Sequence, residues 1–319
     1  MHALVLSADG PRLELDHPEP VVGADEVLVH VRQAGICDTD LQLLAGYGGF
    51  RGVLGHEFVG VVDAGDPQLG GARVVADINV GCGVCSACSG GDGHHCVART
   101  TLGIRNRSGV FAQRVAIPRR NLVCVPDHVE DDLAVFAEPL AAALHVLDEI
   151  PGDSVERIDV LGDGKLGLLV AMSLHAEGRS VRVIGHHPSK LELAGRLGID
   201  TVLEQELDAG ERSRSRYVVE ATGHPSGLER ALWIARARGT VILKTTSAAP
   251  MSLDLAKIVV DELRVVGSRC GDLRRAIALL GAGEIDPRPL IAARYRFASA
   301  LCALEHAARR GVLKVTLTD

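Results

Sequence analysis

Along the first third of the chain, apolar residues come in short runs broken by Gly, Pro and Asp. Val27-Leu28-Val29-His30-Val31, Val59-Gly60-Val61-Val62 and Arg73-Val74-Val75-Ala76 have the length and β-branched content of strands. The opening MHALVLS lacks a basic stretch and is soon followed by acids, so it reads as a first strand rather than a signal peptide. Residues 1–139 are therefore expected to form an irregular β-rich, barrel-like domain with loop insertions.

The pattern changes near Leu140, where Leu140 to Leu147 is helix-like. Arg157-Ile158-Asp159-Val160-Leu161 is then a short apolar strand, followed by a glycine turn and a helix through Ala171, Met172 and Leu174. Val181 to Ile184, Tyr217 to Glu220, Thr240 to Leu243 and Leu263 to Val266 continue as strands, with a helix at Lys190 to Leu197. Such alternation predicts right-handed βαβ units and a doubly wound parallel sheet over 140–273. From about Arg274, a helix (Ala276 to Leu280) and a Pro-rich turn lead to a last strand at Lys314 to Leu317. Residues 274–319 are expected to return to the first domain, giving an α/β protein.

Composition narrows the function. A chain of 319 residues suits two domains. A net charge of −7, without blocks of like charge, argues against a nucleic-acid or anionic-membrane partner. No run approaches the roughly 20 apolar residues of a spanning helix, and the expected location is the cytoplasm. Four of the eight cysteines fall between Cys82 and Cys96, a metal-site distribution rather than a disulfide framework.

Cys82, Cys85, Cys88 and Cys96 form C-x2-C-x2-C-x7-C in a glycine-rich loop. Four thiolates at this spacing suit one tetrahedral Zn²⁺, closed to substrate and hence structural. An iron–sulfur cluster is the alternative by ligand count.

Cys37 (in Gly-Ile-Cys-Asp-Thr-Asp) and His56 (in Gly-His-Glu) are unremarkable singly, as a buried thiol and a surface pair. With Glu57, and Glu138 in Glu-Pro-Leu at the domain change, they supply one sulfur, one nitrogen and one or two carboxylates. A catalytic zinc needs three protein ligands and an open position at which a substrate oxygen is polarised. Asp40 is the natural carboxylate to orient the histidine.

Gly162-Asp163-Gly164-Lys165-Leu166-Gly167 is G-x-G-x-x-G between a strand and a helix, the context that dinucleotide binding requires. The acid that normally grips the ribose about 20 residues on is missing, and the strand ends Gly185-His186-His187-Pro188-Ser189-Lys190. Gly185 leaves room for a 2′-phosphate, and His186, Ser189 and Lys190 are placed to contact it. NADP is favoured over NAD, the alternative being solvated loop residues and NAD.

These motifs, in this order over essentially the whole chain, resemble the zinc-containing medium-chain dehydrogenases. The resemblance implies a GroES-like catalytic domain built from both chain ends, with a Rossmann domain between. It implies Cys37 and His56 as zinc ligands, with Glu138 or Glu57 holding the metal or its water, Glu138 first. Thr39 falls at the proton-relay position, and Arg269 lies where a loop nears the nicotinamide or substrate. A threonine- or sorbitol-dehydrogenase-like subgroup matches best in texture, and a homodimer or homotetramer is expected. The expected reaction moves a hydride between a small, polar alcohol and its carbonyl partner. A silent dinucleotide-binding sensor and a zinc-free quinone or enoyl reductase are the alternatives. Only 18 residues separate Cys37 from His56, which suggests a trimmed pocket loop, with Tyr47, Phe50 and Phe111 as substrate-side candidates.

Overall fold

A computed structural model describes residues 1–207, 214–246, 253 and 255–319. The chain divides into two compact units, one of Met1–Glu138 with Leu273–Asp319, the other of Pro139–Asp272.

The second unit is built on six parallel strands. Their spatial order is Asp200–Leu203, Val181–Gly185, Ile158–Leu161, Ser215–Glu220, Ala235–Leu243, Arg264–Gly267. Strands covered on both faces are apolar throughout, and every residue of Ile158–Leu161 is buried. The exception in composition, Asp159, lies in register with Arg182, which holds it with two bonds of 2.9 and 2.8 Å. The bidentate pair satisfies a charge that the buried sheet otherwise excludes.

In the first unit a seven-stranded sheet runs Leu122–Cys124, Arg73–Ala76, Glu57–Val62, Glu26–Ile36, Lys314–Thr318, Ile291–Arg296, and Arg114–Pro118 also pairs with Glu26–Ile36. The last strand enters this sheet antiparallel to Glu26–Ile36, with Val315 opposite Ile36 and Thr316 opposite Gly35. On the other side of Glu26–Ile36, Glu57 lies opposite Gly35. Three segments far apart in sequence thus bring Cys37, Glu57 and Lys314 to one end of one sheet. The core beneath includes Leu4, Ile36, Leu54, Phe58, Phe111 and Leu317.

Candidate metal centres and dinucleotide loop

The sheet register explains the first centre. Cys37 caps the helix Asp38–Leu44, and its backbone N–H donates to Asp40 Oδ2 at 2.9 Å. Asp40 is fully buried, and its Oδ1 stands 3.4 Å from His56 Nδ1. The ligand atoms of Cys37, His56 and Glu57 all lie within 4.8 Å of one another. Gly35 must be a glycine here, because a Cβ would collide with the Glu57 carboxylate. Thr39, half-buried, has its hydroxyl 3.7 Å from Cys37 Sγ.

The electrostatics of this pocket call for a cation. Burial alone would lower the pKa of His56, but Asp40 and Cys37 outweigh it and hold the imidazole well above its ordinary value. Glu57 Oε1 and His56 Nδ1 are buried without a hydrogen-bond partner. A divalent ion among thiolate, imidazole and carboxylate would satisfy both the charge and the orphaned oxygen, so the donor set fits zinc.

Glu138 stands outside the 4.8 Å group, which contains Glu57 instead. Desolvation is the main cause that pushes its carboxyl up to about 7, with Glu57 adding and His56 and Lys314 opposing. Between its ordinary 4.5 and about 7, the folded metal-stripped protein holds more protons at Glu138 than the unfolded chain does. Stability of the stripped protein should therefore fall as pH rises through that window. In Glu138→Gln that slope should be missing from the pH dependence of the urea midpoint; an unchanged slope would assign it elsewhere.

Sequence reasoning missed Lys314. Its ammonium is buried and ion-paired with Glu57 Oε2, with Ile36 O at 3.4 Å and the Phe136 ring centroid at 5.9 Å. Burial pulls the pKa of Lys314 down, but Glu57 and Cys37 more than compensate and hold it raised. The available signal was a lone lysine at the head of an otherwise uncharged strand. Phe111, expected beside substrate, is instead fully buried under Gly55. Phe50 lines a cavity of about 320 Å³ together with Arg51, Arg105, Asn106, Arg107 and Ser108. Backbone bonds Gly109 N to Val53 O, Phe111 N to Leu54 O and Val110 N to Gly55 O hold this loop against the segment leading into His56.

The second centre is the cysteine lobe. All eight cysteines are free thiols, and Cys82, Cys85, Cys88 and Cys96 present sulfurs within 4.8 Å of one another. Cys82 and Cys88 Sγ are 4.0 Å apart, close to the about 3.8 Å expected across a tetrahedron of Zn–S bonds. Backbone N–H groups of Val84 and Cys85 aim at Cys82 and lower its thiol to about 6. The Gly83 amide lowers Cys88 too, but desolvation and the neighbouring sulfurs push it up to about 11. Four sulfurs that cannot all ionise unaided form a site that zinc would complete. The lobe is anchored by His94 Nε2, 2.6 Å from Asp77 Oδ2.

The glycine turn of the second unit has the expected division of labour. Gly162 adopts φ +121° and a Cβ there would strike Ala221 O at 2.5 Å; a Cβ on Gly167 would strike Gly162 O. A Cβ on Gly164 would meet nothing within 4 Å, leaving its face open for a pyrophosphate at the N-terminus of the helix Lys165–Ala176. Lys165 and Lys190 are buried, His186 is exposed and lies 3.0 Å from Glu204, and Arg269 is exposed just past the last parallel strand. The space beside Gly185, expected to be free for a phosphate, is filled by Asp163, whose Cβ and Oδ2 would lie 2.6 Å from a Cβ there.

A unit with a parallel sheet and a glycine turn, and a β-rich unit carrying two metal-type centres, define a zinc-type dehydrogenase architecture. The alcohol dehydrogenase GroES-like domain profile matches residues 23–127, and the zinc-binding dehydrogenase profile matches residues 166–281. An L-threonine 3-dehydrogenase of Streptomyces coelicolor is 31% identical over 92% of this chain and 92% of its own. A zinc-binding dehydrogenase of Sinorhizobium meliloti bound to NADP superposes with TM-score 0.87 at 29% identity, covering 100% of this chain and 99% of that one. Galactitol-1-phosphate dehydrogenase of Escherichia coli gives TM-score 0.89 at 28% identity, covering 100% of both chains. The chain belongs to the zinc-containing medium-chain dehydrogenase family, within its threonine- and sorbitol-dehydrogenase-like alcohol dehydrogenases. Among the described residues, no helix is long and apolar enough to cross a membrane.

Proposed function

We propose that the protein is a two-zinc NAD(P)-dependent dehydrogenase of a small polar alcohol, a polyol, sugar or amino alcohol. The observation that carries this reading is the convergence of Cys37, His56 and Glu57 in a buried, cation-demanding pocket. When bound, zinc supplies Lewis-acid polarisation of the alcohol oxygen, and the nicotinamide supplies the hydride acceptor.

The chain's own residues do the rest. Cys37 and His56 hold the metal, and the buried carboxylate of Asp40, 3.4 Å from Nδ1, is the group placed to orient the imidazole. A carboxylate completes the set, Glu138 first and Glu57 as its alternate. Lys314 neutralises Glu57, so the Cys37 thiolate and the Glu138 carboxylate are left to balance the two positive charges of the metal. Thr39 Oγ1, half-buried beside Cys37, accepts the alcohol proton and passes it outward. Glycine turn residues Gly162, Gly164, Lys165, Leu166 and Gly167 hold the dinucleotide, with His186, Lys190 and Arg269 around it. Nucleotide-bound relatives carry both coenzymes, NADP in the Sinorhizobium dehydrogenase and NADH in an Escherichia coli one, which supports NAD(P) use. The threonine and galactitol-1-phosphate relatives support a polar substrate.

Metal analysis tests the ligand set. The wild type should hold two zinc ions per chain and Cys37→Ser one. Glu138→Gln should lose more of the second zinc than Glu57→Gln does. The reverse order would make Glu57 the ligand, and a single zinc in the wild type would remove the catalytic site altogether.

A further inference from the structure

Resting on the dinucleotide reading, we propose that Asp163 is the residue that distinguishes the adenosine 2′-hydroxyl of NAD from the 2′-phosphate of NADP. Family dinucleotide sites place this acid at the end of the second strand, to accept the ribose hydroxyl and repel a phosphate. Here that strand, Val181–Gly185, ends in glycine. The carboxylate arrives instead from the turn that follows the neighbouring strand Ile158–Leu161, in the variable position after its first glycine.

The geometry ties the two positions together. Asp163 Oδ2 accepts the backbone N–H groups of His186 at 2.8 Å and His187 at 2.7 Å. His187 Nδ1 lies 3.0 Å from both carboxylate oxygens, and Lys190 Nζ is 3.9 Å from Oδ1. The side chain is only 7% exposed, and the three atoms nearest to a Cβ on Gly185 all belong to it. Gly185 is therefore a glycine because Asp163 lies across it.

Two consequences follow for a bound adenosine ribose. The donors that a 2′-phosphate would need at this strand end, the His186 and His187 amides and the His187 ring, already serve a carboxylate. A phosphate placed there would also meet a like charge, which Lys190, with Nζ 3.9 Å from Oδ1, offsets only in part. A ribose hydroxyl meets neither obstacle, because a carboxylate has about four acceptor positions and Oδ1 retains capacity for a charge-assisted bond. Asp163 thus moves the balance towards NAD, relative to what the vacant strand end alone implies.

The test is calorimetric titration of the full-length protein with NAD, NADP, 5′-AMP and adenosine 2′,5′-bisphosphate, needing no turnover. Asp163→Asn keeps the shape and removes the charge. It should shift the NADP-to-NAD affinity ratio towards NADP by about tenfold or more, with the same shift for the two mononucleotides. A second arm moves the acid: Asp163→Gly should show the shift, and adding Gly185→Asp to it should bring the ratio back towards wild type. The strand end has room for this, since the atoms that crowd Gly185 leave with Asp163. Ratios that stay within about twofold in Asp163→Asn while nucleotides still bind, or a double variant no different from Asp163→Gly, would overturn the assignment and leave the dehydrogenase reading intact. Failure of the wild type to bind any of the four nucleotides would overturn the dinucleotide reading, and this inference with it.

Discussion

Cys37→Ser is expected to lower turnover by roughly a thousandfold, the several kcal/mol that Lewis-acid polarisation contributes to such a reaction. Serine keeps the volume, and the backbone N–H of residue 37 still donates to Asp40, so the helix cap survives. What is lost is the thiolate, the one soft donor in a set whose other members are an imidazole and carboxylates. The four-sulfur lobe is built from different residues and should keep its ion. Steady-state kinetics with either coenzyme, together with zinc content and a thermal melt, separates this from unfolding. A variant that retains turnover would show that Cys37 is a buried thiol and nothing more.

Lys314→Met should be the most destabilising single change at this centre, by about 3–5 kcal/mol in the metal-stripped protein. Methionine fills most of the space but leaves Glu57 charged, buried and facing Cys37 and Glu138 without its cation. The pair is enclosed, with side-chain exposures of 2% for Lys314 and 1% for Glu57, so solvent cannot screen the loss. Adding Glu57→Gln should recover much of the stability, because it removes the stranded charge rather than restoring a bond. Urea denaturation of the two single variants and the double one measures the coupling. Additive losses would mean that the two side chains do not act as a pair.

How much of this was legible beforehand depended on whether a feature is local in sequence. The glycine turn and the cysteine lobe are short motifs whose chemistry follows from spacing, and both fold as their spacing suggests. The strand alternation was readable because strands of a sheet covered on both faces are continuously apolar. Lys314 was not legible as a site residue, for it meets Glu57 across 257 residues, through a register that only the assembled sheet defines. Asp163 was visible only as a variable letter between two glycines. Its bearing on Gly185 depends on which way its side chain turns, and periodicity carries no information about that. Phe111, a substrate-side candidate by sequence, lies in the core instead, where the left-handed Gly55, at φ +91°, makes room for it.

The centre built from Cys37, His56 and the paired glutamates stands or falls on one measurement. Metal-stripped protein, with and without added zinc, is given a panel of polyols, sugars and amino alcohols plus NAD or NADP, and reduced nicotinamide is followed by its near-ultraviolet absorbance. Reduction of the coenzyme with at least one polar alcohol, absent in the stripped protein and restored by zinc, is the predicted result. Equal coenzyme reduction before and after zinc addition, in protein shown to lack metal, would contradict the account.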